Sequence, residues 1–186
     1  IVLFSQCTGK ADNQTATTSG QASGELTGMK IAYVEIDTLL AQYNFCIDLN
    51  EGMVKKSENV RLTLNQKARE LDKQKQDFQT KYQNNAYLSP ERAQQEYNRI
   101  AKLEQDLQTL SNKLQSELMS ENEKNSLQLR DSINAFLKEY NKTKGYSMII
   151  SNTGFDNLLY ADSIYNITKE IVEGLNARYS SPAPKK

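Results

Sequence analysis

The sequence contains no histidine and no tryptophan, and only two cysteines, Cys7 and Cys46, in 186 residues. Without histidine there is no Ser-His-Asp or Cys-His catalysis, no imidazole metal ligand and no imidazole pH switch. Two cysteines so far apart make neither a thiolate zinc site nor a redox motif. An excess of either charge is missing too: 23 basic residues balance 23 acidic ones, so no net field draws the chain to nucleic acid. No G-x-x-x-x-G-K-[ST] loop occurs, which leaves no nucleotide-driven cycle to expect. No cofactor and no metal are expected, and most enzyme chemistry is disfavoured.

Glycine and proline are scarce and unevenly placed. Four of the eight glycines (Gly9, Gly20, Gly24, Gly28) precede residue 29, and two of the three prolines (Pro182, Pro184) fall in the last five residues. Between Gly52 and Gly145 there is no glycine and a single proline, Pro90. A stretch that long without breakers, rich in Leu, Gln, Lys and Glu, predicts helix interrupted once.

Residues 1–7 form a short apolar run ending in Cys7. Leu3 to Cys7 resembles a lipobox, which makes Cys7 a candidate lipid anchor behind the end of a secretory signal. Residues 8–28 hold three charges, no aromatic and one leucine. They cannot bury enough apolar area to offset chain ordering and are expected to be a flexible tether. Residues 180–186, with Pro182 and Pro184, are expected to be a disordered tail.

Between tether and tail the pattern is α+β and mostly helical. Lys30–Ile36 is β-branched and aromatic, which predicts a strand, and Asp37 is expected to cap a short helix from Thr38 to about Tyr43. Leu64, Leu71 and Phe78 stand seven apart, flanked by Met53, Val60, Ala68 and Tyr82, a narrow helical seam. Ser89-Pro90-Glu91 is a helix start, with a capping hydroxyl, proline at the first position and an acid in the first turn. A second seam runs from Tyr97 through Leu103, Leu110 and Leu118, lapses over Ser120–Ser126 and resumes at Leu129, Ile133, Phe136 and Tyr140. Two arms of nearly equal length, within 45–144 and turning at 88–90, predict an antiparallel helical hairpin. Gly145 ends it. Tyr146–Ser151 and Asn157–Ala161 predict a strand pair, and Asp162 or Ser163 should cap a last helix carrying Ile164, Ile167, Ile171 and Leu175. A body made only of 29–44 and 145–179 is smaller than a free-standing core normally needs. Sister copies are therefore expected to complete it, through Ile31, Tyr33, Val34, Ile36, Met148, Ile150, Leu158 and Tyr160.

The opening KIAYVEID, the segment YSMIISNTGFDNLLYADS and the closing YNITKEIVEGLN resemble the Skp (OmpH-like) periplasmic chaperones over about residues 29–176. The resemblance implies a trimer whose strands form a small β body and whose hairpins surround a cavity. It implies an ATP-independent holdase for unfolded outer-membrane proteins in the periplasm. Family members often have strongly basic arms; here residues 67–102 carry eight basic and five acidic side chains. Cys7 with its tether is a further departure, since soluble members end their signal in a cleavable site; Thr8 after it is not the Asp that tends to retain lipoproteins at the inner membrane, which by resemblance to lipoprotein sorting implies the inner leaflet of the outer membrane. Tyr82, Tyr87 and Leu88, near the turn, are the candidate client contacts. The alternative reading is a membrane-tethered coiled-coil scaffold of the envelope that binds one folded partner. Cys46 is expected to be a buried, inert thiol. Finally, Asp37-Thr38-Leu39, Asp131-Ser132-Ile133 and Asp162-Ser163-Ile164 resemble a bacterial O-glycosylation sequon, though two of the three double as helix starts.

Overall fold

A computed structural model describes residues 28–154 and 158–180. Cys7, the tether up to residue 27, Asn157 and the tail from 181 lie outside the described residues. In chain order the elements are strand β1 (Ile31–Glu35), helices α1 (Ile36–Gln42), α2 (Asn44–Gln83) and α3 (Pro90–Lys144), strand β2 (Met148–Asn152), a 3-10 turn (Ser163–Tyr165) and helix α4 (Thr168–Arg178).

β1 and β2 pair in parallel, with Ile31 opposite Met148 and Glu35 opposite Asn152. Parallel neighbours need a long crossover, and here the crossover is α1, α2 and α3 together. The other edge of β1 is taken within the chain. Ile167 N donates to Tyr33 O at 3.0 Å, Glu35 N donates to Thr168 Oγ1 at 2.8 Å, and Asn166 Nδ2 donates to Glu35 Oε1 at 3.0 Å. Among the described residues, the outer edge of β2 has no such partner strand.

α4 and α1 close over the sheet with the last turns of α3. Leu39, Ile171 and Leu175 are fully buried, packed with Val34, Tyr43, Cys46, Phe136, Ile167 and Val172. Each side chain of that size contributes about 1.5–3 kcal/mol on burial. Gly174 allows the closest approach: a Cβ built there would meet Phe136 Cζ at 2.3 Å. On that ring lies the Arg178 guanidinium, 4.8 Å from its centroid.

At 1.5 Å per residue, α2 is about 60 Å long and α3 about 80 Å. Contacts couple Tyr43 with Ser132, Lys56 with Glu121, Lys75 with Glu104 and Phe78 with Tyr97. Partner numbers fall as the α2 number rises, so α3 runs back along α2. The seam sinks Leu71 from α2 and Ala93 and Ile100 from α3, while Leu64, Leu103, Leu107, Leu110 and Leu114 are half-buried. Outside the seam and the turns that enter the body core, such as those carrying Cys46 and Phe136, the long helices face water, as a two-stranded seam must.

Four local expectations are corrected. α2 ends at Gln83, earlier than the turn placed at 88–90, because Asn85 takes a left-handed φ of 49° and Ala86 N returns to Lys81 O at 2.9 Å. Asparagine tolerates that conformation, so Asn84-Asn85 stops the helix where leucine spacing alone does not. α1 begins at Ile36, leaving Asp37 in its first turn, and Thr38 Oγ1 donates back to Glu35 Oε2 at 3.1 Å. Asp162 caps the 3-10 turn, accepting from Ile164 N at 3.0 Å; α4 starts at Thr168, whose N–H donates to Asn166 Oδ1 at 2.9 Å. The expected strand pair is one strand, since Leu158–Ala161 has no regular structure. Rather than pairing on the outer edge of β2, that segment puts its apolar side chains against the sheet: Leu158 and Ala161 line a groove with Ile31, Tyr33, Ile150 and Tyr165.

The helix ends of α3 follow their sequence signals. Ser89 Oγ accepts from Arg92 N at 3.4 Å, Pro90 is the first residue, and Gly145 closes the helix at a φ of 67°.

Candidate functional site

The far end of the arm is aromatic. Phe78 is its hub, with ring centroids of Tyr82 at 5.9 Å, Tyr87 at 5.7 Å and Tyr97 at 6.3 Å. These spacings suit offset and edge contacts, each worth about 0.5–1.5 kcal/mol beyond burial. Phe78 is half-buried, but Tyr82 is 63% exposed, and Leu88, in the connecting turn, is 99% exposed. Tyr87 is half-buried against Phe78, and its hydroxyl is raised above the ordinary range by desolvation and by the Glu96 carboxylate. Glu96 itself is held low by its bond from Arg99. Of the three candidate contacts, then, Tyr82 and Leu88 face water, whereas Tyr87 partly seals the tip.

Below the cluster the seam opens into shallow grooves. One of about 360 Å³ is lined by Phe78, Tyr82, Tyr97, Ile100 and Ala101, with Lys75 and Glu104 at its rim. A second, of about 230 Å³, lies between Leu71, Leu103, Leu107 and Leu110. Apolar floors with charged rims accept extended, chemically varied chains without demanding one shape. The polar lapse at Ser120–Ser126 is spanned rather than empty: Glu121 is ion-paired with Lys56 across the seam.

The body presents apolar surface of another kind. A groove of about 540 Å³ runs between Ile36, Leu40, Leu129, Ile133, Leu137 and Ile149. Beside the sheet, Met148 is 49% exposed, Tyr160 is 86% exposed, and Ile31 and Leu159 also face water. Of the eight side chains expected to meet sister copies, Tyr33 and Val34 are buried inside this chain. Ile36, Ile150 and Leu158 are half-buried, and Ile31, Met148 and Tyr160 are exposed.

Sequence reasoning missed a clasp that fixes where the chain enters the body. Tyr140 OH donates to Glu170 Oε2 at 2.6 Å, and Lys144 donates to the other carboxylate oxygen. Lys30 Nζ donates to Lys144 O at 2.6 Å and lies 4.5 Å from the centroid of the Tyr146 ring. Desolvation and the Glu170 bond push the Tyr140 hydroxyl strongly up, while Lys144 and then Tyr140 hold Glu170 low. Its only sequence signal is aromatic and basic residues around Gly145, which also reads as an ordinary helix end. Cys46 is buried; Asn50 Nδ2 donates to its sulfur at 3.6 Å, and burial pushes the thiol up. Such a thiol is a poor nucleophile.

Among the described residues, no group of acidic and cysteine side chains could hold a metal ion, and no helix is long and apolar enough to cross a membrane. A small mixed body, one long pair of helices and shallow apolar grooves define a coiled-coil arm protein with surfaces suited to binding. The sequence model of the outer membrane protein (OmpH-like) family matches residues 30–175, so body and arm are both covered, and the chain belongs to that family. A candidate outer membrane chaperone (OmpH-like) from Caulobacter crescentus CB15 has a similar fold. Its TM-score is 0.73 at 12% identity, over 92% of this chain and 96% of that one. No curated protein matches.

Proposed function

We propose that the protein is an ATP-independent holdase of the periplasm that keeps unfolded outer-membrane proteins from aggregating. The observation that carries this reading is the family match over residues 30–175, which supports a chaperone role and spans body and arm together. The arm supplies many weak, adaptable contacts, among them Tyr82, Leu88 and the grooves around Phe78 and Leu71. Holding needs contacts of that kind and no deep pocket.

Three copies form the working unit in this proposal, enclosing a cavity between their arms. The edge of β2 that has no partner among the described residues, with the exposed Ile31, Met148, Leu159 and Tyr160 beside it, favours association, because an open strand edge beside apolar surface invites a further chain. Cys7 carries a lipid that holds the assembly at the inner leaflet of the outer membrane, with residues 8–28 as its tether.

Light scattering of an outer-membrane protein diluted from urea, without nucleotide, tests the function. Suppressed aggregation at equimolar trimer is the expected result. Unchanged aggregation, with saturable binding to a single folded envelope protein, would make the chain a scaffold instead. Mass spectrometry of protein extracted from native membranes tests the anchor, and an unmodified Cys7 would remove it.

A further inference from the structure

We propose that Ser163 is an O-glycan acceptor, and the only one among the three Asp-Ser/Thr-apolar triplets. The inference rests on the periplasmic location proposed above. The three triplets are alike in sequence, yet the fold puts them in three different environments.

Thr38 is half-buried in the first turn of α1, its hydroxyl engaged with Glu35 Oε2 at 3.1 Å, and the following Leu39 is 1% exposed in the core. A transferase reading that triplet would have to draw Leu39 out of the body. Ser132 lies within α3, half-buried, and shares a hydrogen bond of 2.9 Å with the Tyr43 hydroxyl. Its neighbour Ile133 packs against the core, so presenting it means unwinding a long helix beside the body.

Ser163 meets neither obstacle. It is exposed, its hydroxyl has no hydrogen-bond partner among the described residues, and the next residue, Ile164, is 76% exposed although apolar. Asp162 is exposed as well and accepts from Ile164 N at 3.0 Å, which gathers acid, hydroxyl and apolar side chain into one surface turn. That turn is a single 3-10 element, closed by Tyr165 N donating to Asp162 O at 3.1 Å and Asn166 N donating to Ser163 O at 3.0 Å. Short 3-10 turns have poor hydrogen-bond geometry and open at little cost. The segment before it has no regular structure. An acceptor must lie extended in the enzyme's cleft with its oxygen at the sugar's anomeric carbon, and only this triplet reaches that state without breaking the core.

The donor class is a glycan linked through diphosphate to a polyprenyl lipid. The bond from the anomeric carbon to Ser163 Oγ forms as the bond from that carbon to the phosphate oxygen breaks. The hydroxyl proton passes to a base of the transferase, and polyprenyl diphosphate leaves. No oxidant or reductant is involved.

The test is glycopeptide and intact-mass spectrometry on the full chain, produced in a bacterium that glycosylates a reporter bearing such a triplet. Fractionation and the light-scattering assay are run on the same preparation. The expected result is a glycan mass on wild type that maps to Ser163. It should be lost in Ser163→Ala and in Asp162→Asn, which keeps the capping oxygen, and retained in Ser163→Thr, Ser132→Ala and Thr38→Val. Unmodified chain recovered from the periplasm with holdase activity, beside a glycosylated reporter, would overturn the glycan alone. So would a glycan that maps to Thr38 or Ser132 and survives Ser163→Ala. Chain recovered only from the cytoplasm would overturn the location, and this inference with it.

Discussion

Replacing Gly174 with alanine should destabilise the body, although helix propensity argues the reverse. Gly174 sits inside α4, where Gly→Ala ordinarily gains about 1 kcal/mol. Here the new Cβ would lie 2.3 Å from Phe136 Cζ and 2.8 Å from Cε2, whereas carbon atoms rest about 3.5–4.0 Å apart. The ring must therefore move by more than 1 Å or so, yet it is buried, covered by Arg178 and stacked on Tyr140 at 5.8 Å. Overpacking of this kind costs about 1–3 kcal/mol. Because the ring is wedged from several sides we take the upper part of that range, which leaves a net loss of about 1–2 kcal/mol. Urea unfolding followed by tyrosine fluorescence, at fixed protein concentration so that association does not intrude, gives the number. A double-mutant cycle adds the decisive comparison. In a Phe136→Leu background the clash is relieved, so Gly174→Ala should become neutral or stabilising, with a coupling of about 2 kcal/mol. If Gly174→Ala stabilises the otherwise unchanged chain by about 1 kcal/mol, the proposed close packing of α4 on α3 is refuted.

Leu88→Ser should change stability by less than about 0.5 kcal/mol, because the side chain is 99% exposed, yet it should weaken client retention in the scattering assay. Retention equal to wild type would remove Leu88 from the holding surface. Replacing Lys56 and Glu121 together with leucine should stabilise the arm by about 1 kcal/mol, since two partly exposed charges give way to seam packing; thermal melts by circular dichroism check this. The clasp predicts two pH effects. Glu170 is held below the ordinary carboxylate range, so its contribution is present above the unfolded pKa and lost as acid carries the pH down through the folded one. Tyr140 is held above its ordinary range, so its contribution is complete below about pH 10 and declines as the pH rises beyond it. Glu170→Gln should flatten the acid limb of stability against pH and Tyr140→Phe the alkaline limb; unchanged limbs would mean that the clasp does not contribute.

The arm was legible because its signals are local. Leucines at spacings of three and four, the Ser89-Pro90-Glu91 start and Gly145 each act within a turn or two, so periodicity and capping chemistry suffice. Most of what escaped depends on partners distant in sequence. Whether residues 158–161 make a strand turns on what the rest of the chain offers them, and here Leu158 and Ala161 line a groove with Ile31, Tyr33 and Ile150 while Asn166 to Thr168 take the second edge of β1. The end of α2 turned on Asn85 accepting a left-handed backbone, which no hydrophobic count registers. The clasp joins Lys30, Tyr140, Lys144 and Glu170 from three separate stretches. Tyr82 and Leu88 stand exposed at the arm's end where sequence reasoning set them near its turn, while the hub role of Phe78 emerged only from ring geometry.

The decisive measurement is sedimentation of the chain with one unfolded outer-membrane client in buffer free of nucleotide. The expected result is a single species with the mass of three chains plus one client. A free-standing monomer at micromolar concentration, with the client sedimenting separately as aggregate, would contradict it.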